Sequence, residues 1–203
     1  MIDVEKEGER WVVTINRPEK ANSLTADMLS ALIDTVKAAR GEAKVLVLTG
    51  SGKVFSAGAD LDAAKAGLAV SPLWEELSNS LAALPCLTIA ALNGTLAGGA
   101  FGMALACDLR LCVPDAKFFY PVMKLGYLPQ PSDPKRLAAL VGPARAKMIL
   151  MAGQKITADE ALSWGLVERI VEREALMAAV FELSQAALAA SPDHVAGIKG
   201  LIK

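Results

Sequence analysis

Two glycine-containing loops place small residues where main-chain N–H groups can do chemistry: FSAGADL and NGTLAGGAFG. Each loop follows an apolar stretch and leads into a predicted helix, so N–H groups at the helix start lack intrahelical acceptors. Two such donors aimed at one carbonyl oxygen form an oxyanion hole, which stabilises negative charge on that oxygen. The alternative is that Gly58, Gly98 and Gly99 only make turns before helices. The presence of both loops favours the chemical interpretation.

Motifs for other chemistries do not match. GSGKVF resembles part of a phosphate-binding loop, but the pattern GxxxxGK[ST] requires glycine at position 47 and Ser or Thr at 54, where Val47 and Val54 stand. No GxSxG motif occurs, and the only histidine, His194, lies in a polar helix start. This argues against a Ser-His-Asp triad and predicts that His194 lies at the surface.

Composition predicts a globular chain without a nucleic-acid or membrane partner. Of 203 residues, 53% are hydrophobic and 21% charged, and the formal net charge is −1. No basic stripe is visible, and no apolar run is long enough to cross a bilayer. The charged start MIDVEKEGER has no signal-peptide core. We expect a cytoplasmic protein, and the mean hydropathy of +0.38 favours self-association that buries surplus apolar surface.

The three cysteines lack CxxC spacing and lie in or beside apolar segments: Cys86, Cys107 and Cys112. An odd number without this spacing argues against disulfides and against a zinc site. We predict that each is a free, buried thiol, and we expect no metal.

Hydrophobic patterning predicts strands alternating with helices, which indicates one α/β domain. IDVEKEG and RWVVTIN predict a β-hairpin, and the next helix is expected to be capped by Thr25 and stopped by Gly41. Buried strands are expected at KVLVLTG, CLTIAAL and CDLRLCV. Loops or irregular structure are expected at GSGKVFSAGAD, LNGTLAGG and VMKLGYLPQPSDP.

Four segments follow one another along the chain: NRPEKANSL, VFSAGADL, LNGTLAGGAFGMALACD and AKFFYPVMKLG. In this order and at about this spacing, they resemble the enoyl-CoA hydratase/isomerase, or crotonase, superfamily. The resemblance covers essentially the whole chain. It implies a crotonase-like (ClpP/crotonase) spiral of ββα units over residues 1–190, with the start of a truncated C-terminal helical segment at 191–203. It also implies a homotrimer or hexamer, and no permanent cofactor, because coenzyme A enters as part of the thioester substrate.

The resemblance also implies which residues contact an acyl-CoA thioester. By their positions in the motifs, the N–H groups of Ala59 and Gly99 are expected to hold the thioester carbonyl oxygen. Ala57, Asp60 and Leu61, together with Ala59, are expected to border the acyl-CoA.

Two lysines are candidates for the phosphate end of coenzyme A. Lys20 lies in the NRPEKA loop, and Lys65 lies one turn beyond FSAGADL. The alternative for both is a solvated surface role.

The chain departs from the family at both positions that carry acid/base chemistry in its hydratases. One glutamate lies three residues beyond the second oxyanion-hole glycine, where this chain has Gly102. The other follows the proline of FFYPVMKLG, where this chain has Val122. General acid–base catalysis contributes about 10²–10⁴-fold per positioned group, so we expect a poor hydratase.

Other polar residues are candidates for proton handling: Tyr120, Gln130 and Asp133. Other family members place an acid or base in the loop that here contains Gln130, but an amide does not accept a proton usefully. Asp133 precedes Pro134, a pattern typical of a helix N-cap, and we favour that role over a catalytic one.

Two functional hypotheses follow. The first is an acyl-CoA-processing enzyme of the hydratase/isomerase type, a lyase or isomerase of fatty acid metabolism, which stabilises a thioester enolate and uses non-standard acid/base groups. The alternative is a non-catalytic acyl-CoA-binding member of the family. We favour the enzyme, because relatives relocate their acid/base groups.

Overall fold

The strands of the protein form two sheets. In the computed structural model, which describes residues 1–202, the larger sheet has the order β1-β2-β3-β5-β7-β10 and the smaller one β4-β6-β8-β9. The strands are β1 (Ile2–Glu7), β2 (Arg10–Ile15), β3 (Val45–Gly50), β4 (Val54–Ser56), β5 (Leu87–Leu92), β6 (Thr95–Ala97), β7 (Leu109–Cys112), β8 (Lys117–Phe119), β9 (Ile156–Thr157) and β10 (Arg169–Ile170).

Helices separate most strand pairs. They are α1 (Ala26–Ala39), α2 (Leu61–Lys65), α3 (Leu73–Ala82), α4 (Phe101–Ala106), α5 (Val122–Leu125), α6 (Asp133–Val141), α7 (Pro143–Leu150), α8 (Ala158–Trp164), α9 (Leu176–Ala189) and α10 (Pro192–Leu201). Short 3₁₀ turns lie at Pro18–Lys20, Leu68–Val70, Gly98–Ala100 and Arg173–Ala175.

Successive strands alternate between the two sheets, which produces the spiral. In each of the pairs β3–β4, β5–β6 and β7–β8, the first strand joins the larger sheet and the second joins the smaller sheet, after which the chain enters a helix. Parallel pairing of β3 with β5 and β5 with β7, matched by β4 with β6 and β6 with β8, stacks these turns. The expected α/β fold of stacked ββα units is therefore confirmed.

The larger sheet is buried at its centre, which fixes the positions of the loops that leave it. Every residue of β3 is buried, and so is most of β5. Continuous apolar strands of this kind are typical of parallel sheets covered on both faces. Helix α9 packs against β3, β5 and β7. The carboxyl ends of β3 and β5 thus lead into FSAGADL and NGTLAGGAFG from a rigid base.

Most of the predicted elements are confirmed. The hairpin of β1 and β2 is antiparallel, and Thr25 caps α1 by accepting a hydrogen bond from the Met28 N–H at 3.3 Å. His194 is exposed. The cysteines are free and buried, as expected for all three: Cys86, Cys107 and Cys112.

Three predicted irregular segments contain regular structure. GSGKVFSAGAD contains β4, LNGTLAGG contains β6, and VMKLG forms the one-turn helix α5. Strands of three residues are too short to show an alternation of apolar and polar residues. Their hydrogen bonds come from neighbouring turns of the spiral, which a local pattern does not contain.

The last described helix is tied to the spiral by one lysine. The Lys199 ammonium group donates to Asp108 Oδ2 at 2.7 Å and to the Cys86 carbonyl oxygen at 2.9 Å. Helix α10 fills most of the segment predicted at 191–203, and Lys203 lies outside the described residues.

In the described part of the chain, no single helix has the length and apolar character needed to cross a membrane. The segments Arg173–Ala189 and Pro192–Leu201 meet that criterion only when taken together, and they are bent by 108°.

Candidate active site

The first glycine loop runs alongside the NRPEKANSL segment. The Leu24 N–H donates to the Gly58 carbonyl oxygen at 2.8 Å, and the Asp60 N–H donates to the Leu24 carbonyl oxygen at 2.9 Å. Leu24 therefore pairs with the residues on both sides of Ala59, as in a parallel ladder. In such a ladder the middle residue directs its own N–H away from the partner strand. The Ala59 N–H thus points away from Leu24.

Two polar residues that the sequence interpretation missed hold this loop in place. The Asn22 side-chain amide donates to the carbonyl oxygens of Ser51 and Val54 at 2.9 and 2.7 Å. The Arg17 guanidinium donates to Asp60 Oδ2 at 2.8 Å. Asn22 adopts φ +53°, a left-handed conformation that asparagine tolerates better than most residues. The only sequence signal for this role was a polar loop.

The second glycine loop touches the first at Gly58. A Cβ atom built on Gly58 would lie 2.9 Å from the Ala97 carbonyl oxygen and 3.3 Å from the Gly99 nitrogen. Gly58 also has φ +89°, and Gly98 has φ +58°. Both the left-handed backbone and the close approach require glycine at position 58. The sequence thus brings the two loops into van der Waals contact.

Two main-chain N–H groups at this contact are free. Within residues 1–202, no group accepts a hydrogen bond from the N–H of Ala59 or of Gly99. Gly99 lies in the first turn of the 3₁₀ segment Gly98–Ala100, where N–H groups have no intrahelical acceptor. The loops therefore present two neighbouring donors without a protein acceptor.

The side chain of Trp74 covers Gly99. A Cβ atom on Gly99 would lie 3.1 Å from Cδ2 of the Trp74 indole, so position 99 has no room for a side chain. The indole N–H donates to the Leu68 carbonyl oxygen at 2.8 Å, which fixes the ring. Trp74 is buried in amphipathic helix α3, and nothing in the sequence pattern distinguished it from an ordinary core residue.

The three polar candidates come together beside helix α4, between the end of β8 and the start of α6. The Tyr120 hydroxyl donates to Asp133 Oδ2 at 2.9 Å, and the Gln130 N–H donates to the Tyr120 hydroxyl oxygen at 3.5 Å. All three residues are buried. The Gln130 side-chain amide donates to the Ala69 carbonyl oxygen at 3.4 Å, so it links this cluster to the Leu68–Val70 turn.

Asp133 is not a helix N-cap, and this expectation was wrong. Helix α6 begins at Asp133 itself, Ser132 occupies the N-cap position, and no side chain caps the helix. The Asp133 carboxyl group instead turns inward, where it is 1% exposed. Glu75 accepts hydrogen bonds from the Ser132 N–H and hydroxyl at 3.2 and 3.0 Å. The helix start is thus held by a carboxylate from α3.

The Asp133 carboxyl group lies against Gly102, one of the two positions where a glutamate is missing. A Cβ atom built on Gly102 would lie 2.8 Å from Asp133 Oδ1. This oxygen is buried and has no hydrogen-bond partner among the described residues. Val122, at the other position, is buried and contributes no acid or base.

Burial dominates the electrostatics of this cluster. It raises the pKa of Asp133 to about 7, against the lowering effects of the Tyr120 hydrogen bond and the Arg136 charge, and with a further increase from Glu75. Burial also raises the pKa of Tyr120, and the neighbouring Asp133 adds to this effect. Tyr120 is therefore a hydrogen-bond donor, and Asp133 is a carboxyl group that titrates near neutral pH.

The residues expected to border an acyl-CoA lie at the rim of the first loop. Leu61 is 79% exposed, and Ala57 is exposed. Asp60 caps α2 by accepting from the N–H groups of Asp62 and Ala63 at 3.1 and 3.3 Å, and these bonds with Arg17 lower its pKa. Asp60 therefore has a structural role at this rim.

The two lysine candidates differ in their surroundings. Lys20 is exposed and adjoins Ala21, whose carbonyl oxygen accepts a hydrogen bond from the Ala57 N–H at 3.0 Å. Lys65 points into solvent and pairs at 3.7 Å with Asp62 on its own helix. Lys20 is thus tied to the loop, and Lys65 is not. No group of three or more His, Cys, Asp or Glu side chains within residues 1–202 is arranged to hold a metal ion.

Comparison with known proteins gives a family match over nearly the whole chain. A sequence profile described as enoyl-CoA hydratase/isomerase matches residues 5–203. The chain is 36% identical over 200 residues to a short-chain-enoyl-CoA hydratase of Clostridium acetobutylicum, covering 95% of this chain and 77% of that protein. It is 36% identical over 198 residues to a carnitinyl-CoA dehydratase of Citrobacter koseri, covering 94% and 76%.

A solved structure gives the same result for the fold. The chain is similar to the crystal structure of an enoyl-CoA hydratase from Bacillus anthracis, with a TM-score of 0.90 and 31% identity. The match covers 99% of this chain and 81% of that one. The two-sheet spiral of this protein is thus the crotonase fold.

Proposed function

The chain belongs to the enoyl-CoA hydratase/isomerase family, and on this premise we propose that it processes an acyl-CoA thioester by stabilising an enolate in a backbone oxyanion hole. The N–H groups of Ala59 and Gly99 are the two donors. Proton handling falls to groups other than the two glutamates of the family's hydratases.

The contact between the two glycine loops is the observation that carries this proposal. Three of its features serve one purpose: Gly58 permits the approach, Trp74 fixes Gly99, and both N–H groups lack protein acceptors. Both N–H groups belong to half-buried residues and have no acceptor among residues 1–202, so both are available to a ligand. A carbonyl oxygen placed between them would supply the missing acceptor.

The chemistry follows from the position of the charge. When a proton leaves the carbon next to a thioester carbonyl, negative charge accumulates on the carbonyl oxygen, and two fixed dipoles lower the free energy of that state. Removal of one such donor costs about 10²–10³ in rate. Double-bond isomerisation, decarboxylation and weak hydration all pass through an enolate of this kind, so the hole alone does not select among them.

The rim residues support binding of coenzyme A near the first loop. Ala57 and Leu61 are exposed beside Gly58, and Lys20 is joined to this loop through Ala21. A lysine ammonium group is a point charge suited to a phosphate. Lys65 is the weaker candidate because it already pairs with Asp62.

Self-association as a trimer or hexamer stays a prediction. Large apolar side chains that are exposed in the single chain lie close together in sequence: Met123, Leu125 and Leu128. Sedimentation equilibrium of the purified protein measures the oligomer size directly. The cytoplasmic location also stays a prediction.

A second candidate function is non-catalytic acyl-CoA binding. It is favoured by the absence of a carboxylate on residues 102 and 122 and by the burial of the carboxyl group that lies against Gly102, that of Asp133. A chain that kept the pocket and lost the chemistry would bind the thioester without turning it over.

The deciding experiment offers enoyl-, dienoyl- and malonyl-type CoA thioesters to the purified protein and to a Gly99→Pro variant. Proline removes the N–H at a position early in a helical turn, but its ring also meets the Trp74 indole. Gly99→Ala, which makes the same contact and keeps the N–H, is therefore the matched control. We expect turnover of at least one thioester by the wild type and a fall in kcat of about 10²–10³ in the variant.

Structural controls accompany this comparison. Tryptophan emission in a Trp11→Phe/Trp164→Phe background reports the packing of Trp74 on Gly99, and a thermal melt reports the fold. Binding of every thioester without turnover would select the non-catalytic alternative. Turnover that is equal in wild type and in a folded Gly99→Pro variant would exclude the oxyanion hole.

A further inference from the structure

We propose that Asp133 is the catalytic acid/base of this site and that its carboxyl group enters from α6 into the space left open by Gly102. The proposal rests on the proposed function and deepens it, because it assigns the group that moves the proton. It also assigns Tyr120 as a positioning residue that holds this carboxyl group.

The Asp133 carboxyl group lies close to the proposed oxyanion hole. Gly99 and Gly102 are three residues apart in the continuous helical stretch from Gly98 to Ala106, so they lie on the same face about one turn apart. Asp133 Oδ1 lies 2.8 Å from the position of a Cβ atom on Gly102. The carboxyl group is therefore held one helical turn from the free N–H of Gly99.

One oxygen of the Asp133 carboxyl group has no hydrogen-bond partner among the described residues. Oδ2 accepts from the Tyr120 hydroxyl, while Oδ1 is buried with no partner among residues 1–202. Leaving a buried polar atom unsatisfied is costly, and such atoms are rare in folded proteins. A structural role as N-cap would have satisfied the carboxylate, and the helix start does not use it in this way. In the proposed role, the proton of a bound acyl-CoA supplies the partner that Oδ1 lacks.

Packing and hydrogen bonds hold the Asp133 carboxyl group in place. The Tyr120 ring stacks on Phe101 with centroids 5.4 Å apart, which fixes the hydroxyl that donates to Oδ2. Ser132, immediately before Asp133, is held by Glu75 and by the Arg136 guanidinium at 2.6 Å from its hydroxyl. Catalytic groups need this kind of support, because small displacements of a reacting group cost large factors in rate.

The charges around Asp133 suit proton transfer in both directions. Tyr120 contacts it from the end of β8, Glu75 faces it from α3, and Arg136 lies on its own helix. Their combined effect with burial is a pKa of about 7 for Asp133. A group that titrates near the working pH both takes and returns a proton efficiently.

The step balances without an added reactant. A C–H bond next to the thioester carbonyl breaks, its proton goes to Asp133 Oδ1, and the electron pair remains as an enolate whose oxygen faces the N–H groups of Ala59 and Gly99. The proton then returns to the same carbon or, in an unsaturated chain, to the far end of the conjugated system. The second outcome is a double-bond isomerisation that consumes neither water nor an oxidant.

Substitution of the carboxyl group tests the assignment. We expect Asp133→Asn to lower kcat by about 10²–10⁴ and to abolish the rise of kcat/KM with pH near 7, while acyl-CoA binding measured by calorimetry persists. Tyr120→Phe is expected to shift the midpoint of that rise and to leave KM nearly unchanged. Asp34→Asn, which alters an exposed aspartate on α1, serves as the matched control and is expected to match the wild type.

A second pair of variants tests the use of the space at Gly102. A methyl group at position 102 would collide with Oδ1, so Gly102→Ala is expected to displace the carboxyl group and lower kcat at least ten-fold. In the double variant Asp133→Gly/Gly102→Glu the carboxylate comes from α4. We expect this protein to exceed Asp133→Gly alone at least ten-fold in kcat.

The outcomes separate the two proposals. Full activity and an unchanged pH profile in Asp133→Asn, with activity still lost in Gly99→Pro, would overturn the role of Asp133 and leave the oxyanion hole intact. Absence of turnover of every thioester by the wild type would overturn both. A folded Gly102→Ala variant with wild-type kcat would also count against Asp133.

Discussion

The two glycine loops and the Tyr120–Asp133 cluster both adjoin the helical stretch from Gly98 to Ala106 and carry their chemistry differently. The loops offer main-chain N–H groups, and their side chains matter only by being small. The cluster offers a carboxyl group and a hydroxyl, whose identity is the chemistry. In the loops the residues match the family's motifs, whereas in the cluster both glutamate positions are vacated at Gly102 and Val122.

This difference shows which parts of a site tolerate change along the sequence. A main-chain N–H donor such as that of Gly99 must stay at its own position in the sequence, because its direction depends on the path of the chain between β5 and α4. A side-chain carboxyl group only has to reach a point in space, and a neighbouring helix reaches the same point. Gly102 has no side chain, and the Asp133 carboxyl group from α6 lies 2.8 Å from the point where a Cβ atom would stand.

The largest effect is expected from Gly58→Ala, which disrupts the contact between the two glycine loops. A left-handed conformation costs about 1–2 kcal/mol for a residue with a Cβ atom, and overpacking against the Ala97 carbonyl adds about 1–3 kcal/mol. We expect the free energy of unfolding to fall by about 2–5 kcal/mol and kcat to fall at least 100-fold, as measured by urea denaturation and steady-state turnover.

Gly153→Ala is the matched control for Gly58→Ala. Gly153 also has a positive φ, +66°, but a Cβ atom there meets nothing within 4 Å. It should show only the conformational cost of about 1–2 kcal/mol with unchanged kcat. Equal effects of the two variants would mean that the contact between the loops carries no function.

The two glycine loops were predictable from the sequence for a physical reason. Glycines at 58, 98 and 99 are local signals, since each reflects a conformation or a close approach that other residues do not allow. The alternation of apolar strands and helices predicted the α/β class for a similar reason, whereas the spiral was expected only from the resemblance to the family. The short strands β4, β6 and β9 and the one-turn helix α5 were missed. The order of these strands comes from pairing across turns of the spiral, which a local pattern does not contain.

The side-chain half was not predictable in the same way. Asp133 before Pro134 carries the local pattern of an N-cap, and only the tertiary structure reveals that its carboxyl group points to Gly102. The sequence separation between these residues exceeds any local period. Trp74 and Asn22 were missed because an apolar residue in a helix and a polar residue in a loop are the commonest patterns available.

The buried Asp133 carboxyl group is expected to make the free energy of unfolding depend on pH. Because the folded-state pKa of Asp133 is raised to about 7, the folded protein holds this proton more tightly than the unfolded chain does between pH 4 and 7. Stability contributed by the protonated group is therefore lost as the pH rises through that window. We expect the stability of Asp133→Asn relative to the wild type to increase by about 2–3 kcal/mol between pH 5 and pH 8.

Chemical denaturation at several pH values measures this difference. Asp34→Asn, with its exposed side chain, is expected to show a constant difference from the wild type over the same range. A stability difference for Asp133→Asn that does not change with pH would mean that Asp133 is ionised throughout, and it would remove the electrostatic contrast between the cluster and the loops.

The smallest effect is expected from Lys20→Ala, which tests whether an exposed charge beside the first glycine loop contributes to acyl-CoA binding. An exposed ion pair contributes about 0–1 kcal/mol, so the KM for an acyl-CoA should rise about two- to five-fold while kcat is unchanged. Because screening weakens exposed charges, this difference should shrink as the salt concentration is raised from 50 mM to about 1 M. The matched control is Lys147→Ala on α7, also exposed, which should leave KM unchanged at every salt concentration. If Lys65→Ala changes KM more than Lys20→Ala does, the coenzyme A phosphates lie along α2 rather than beside the loop at Ala21.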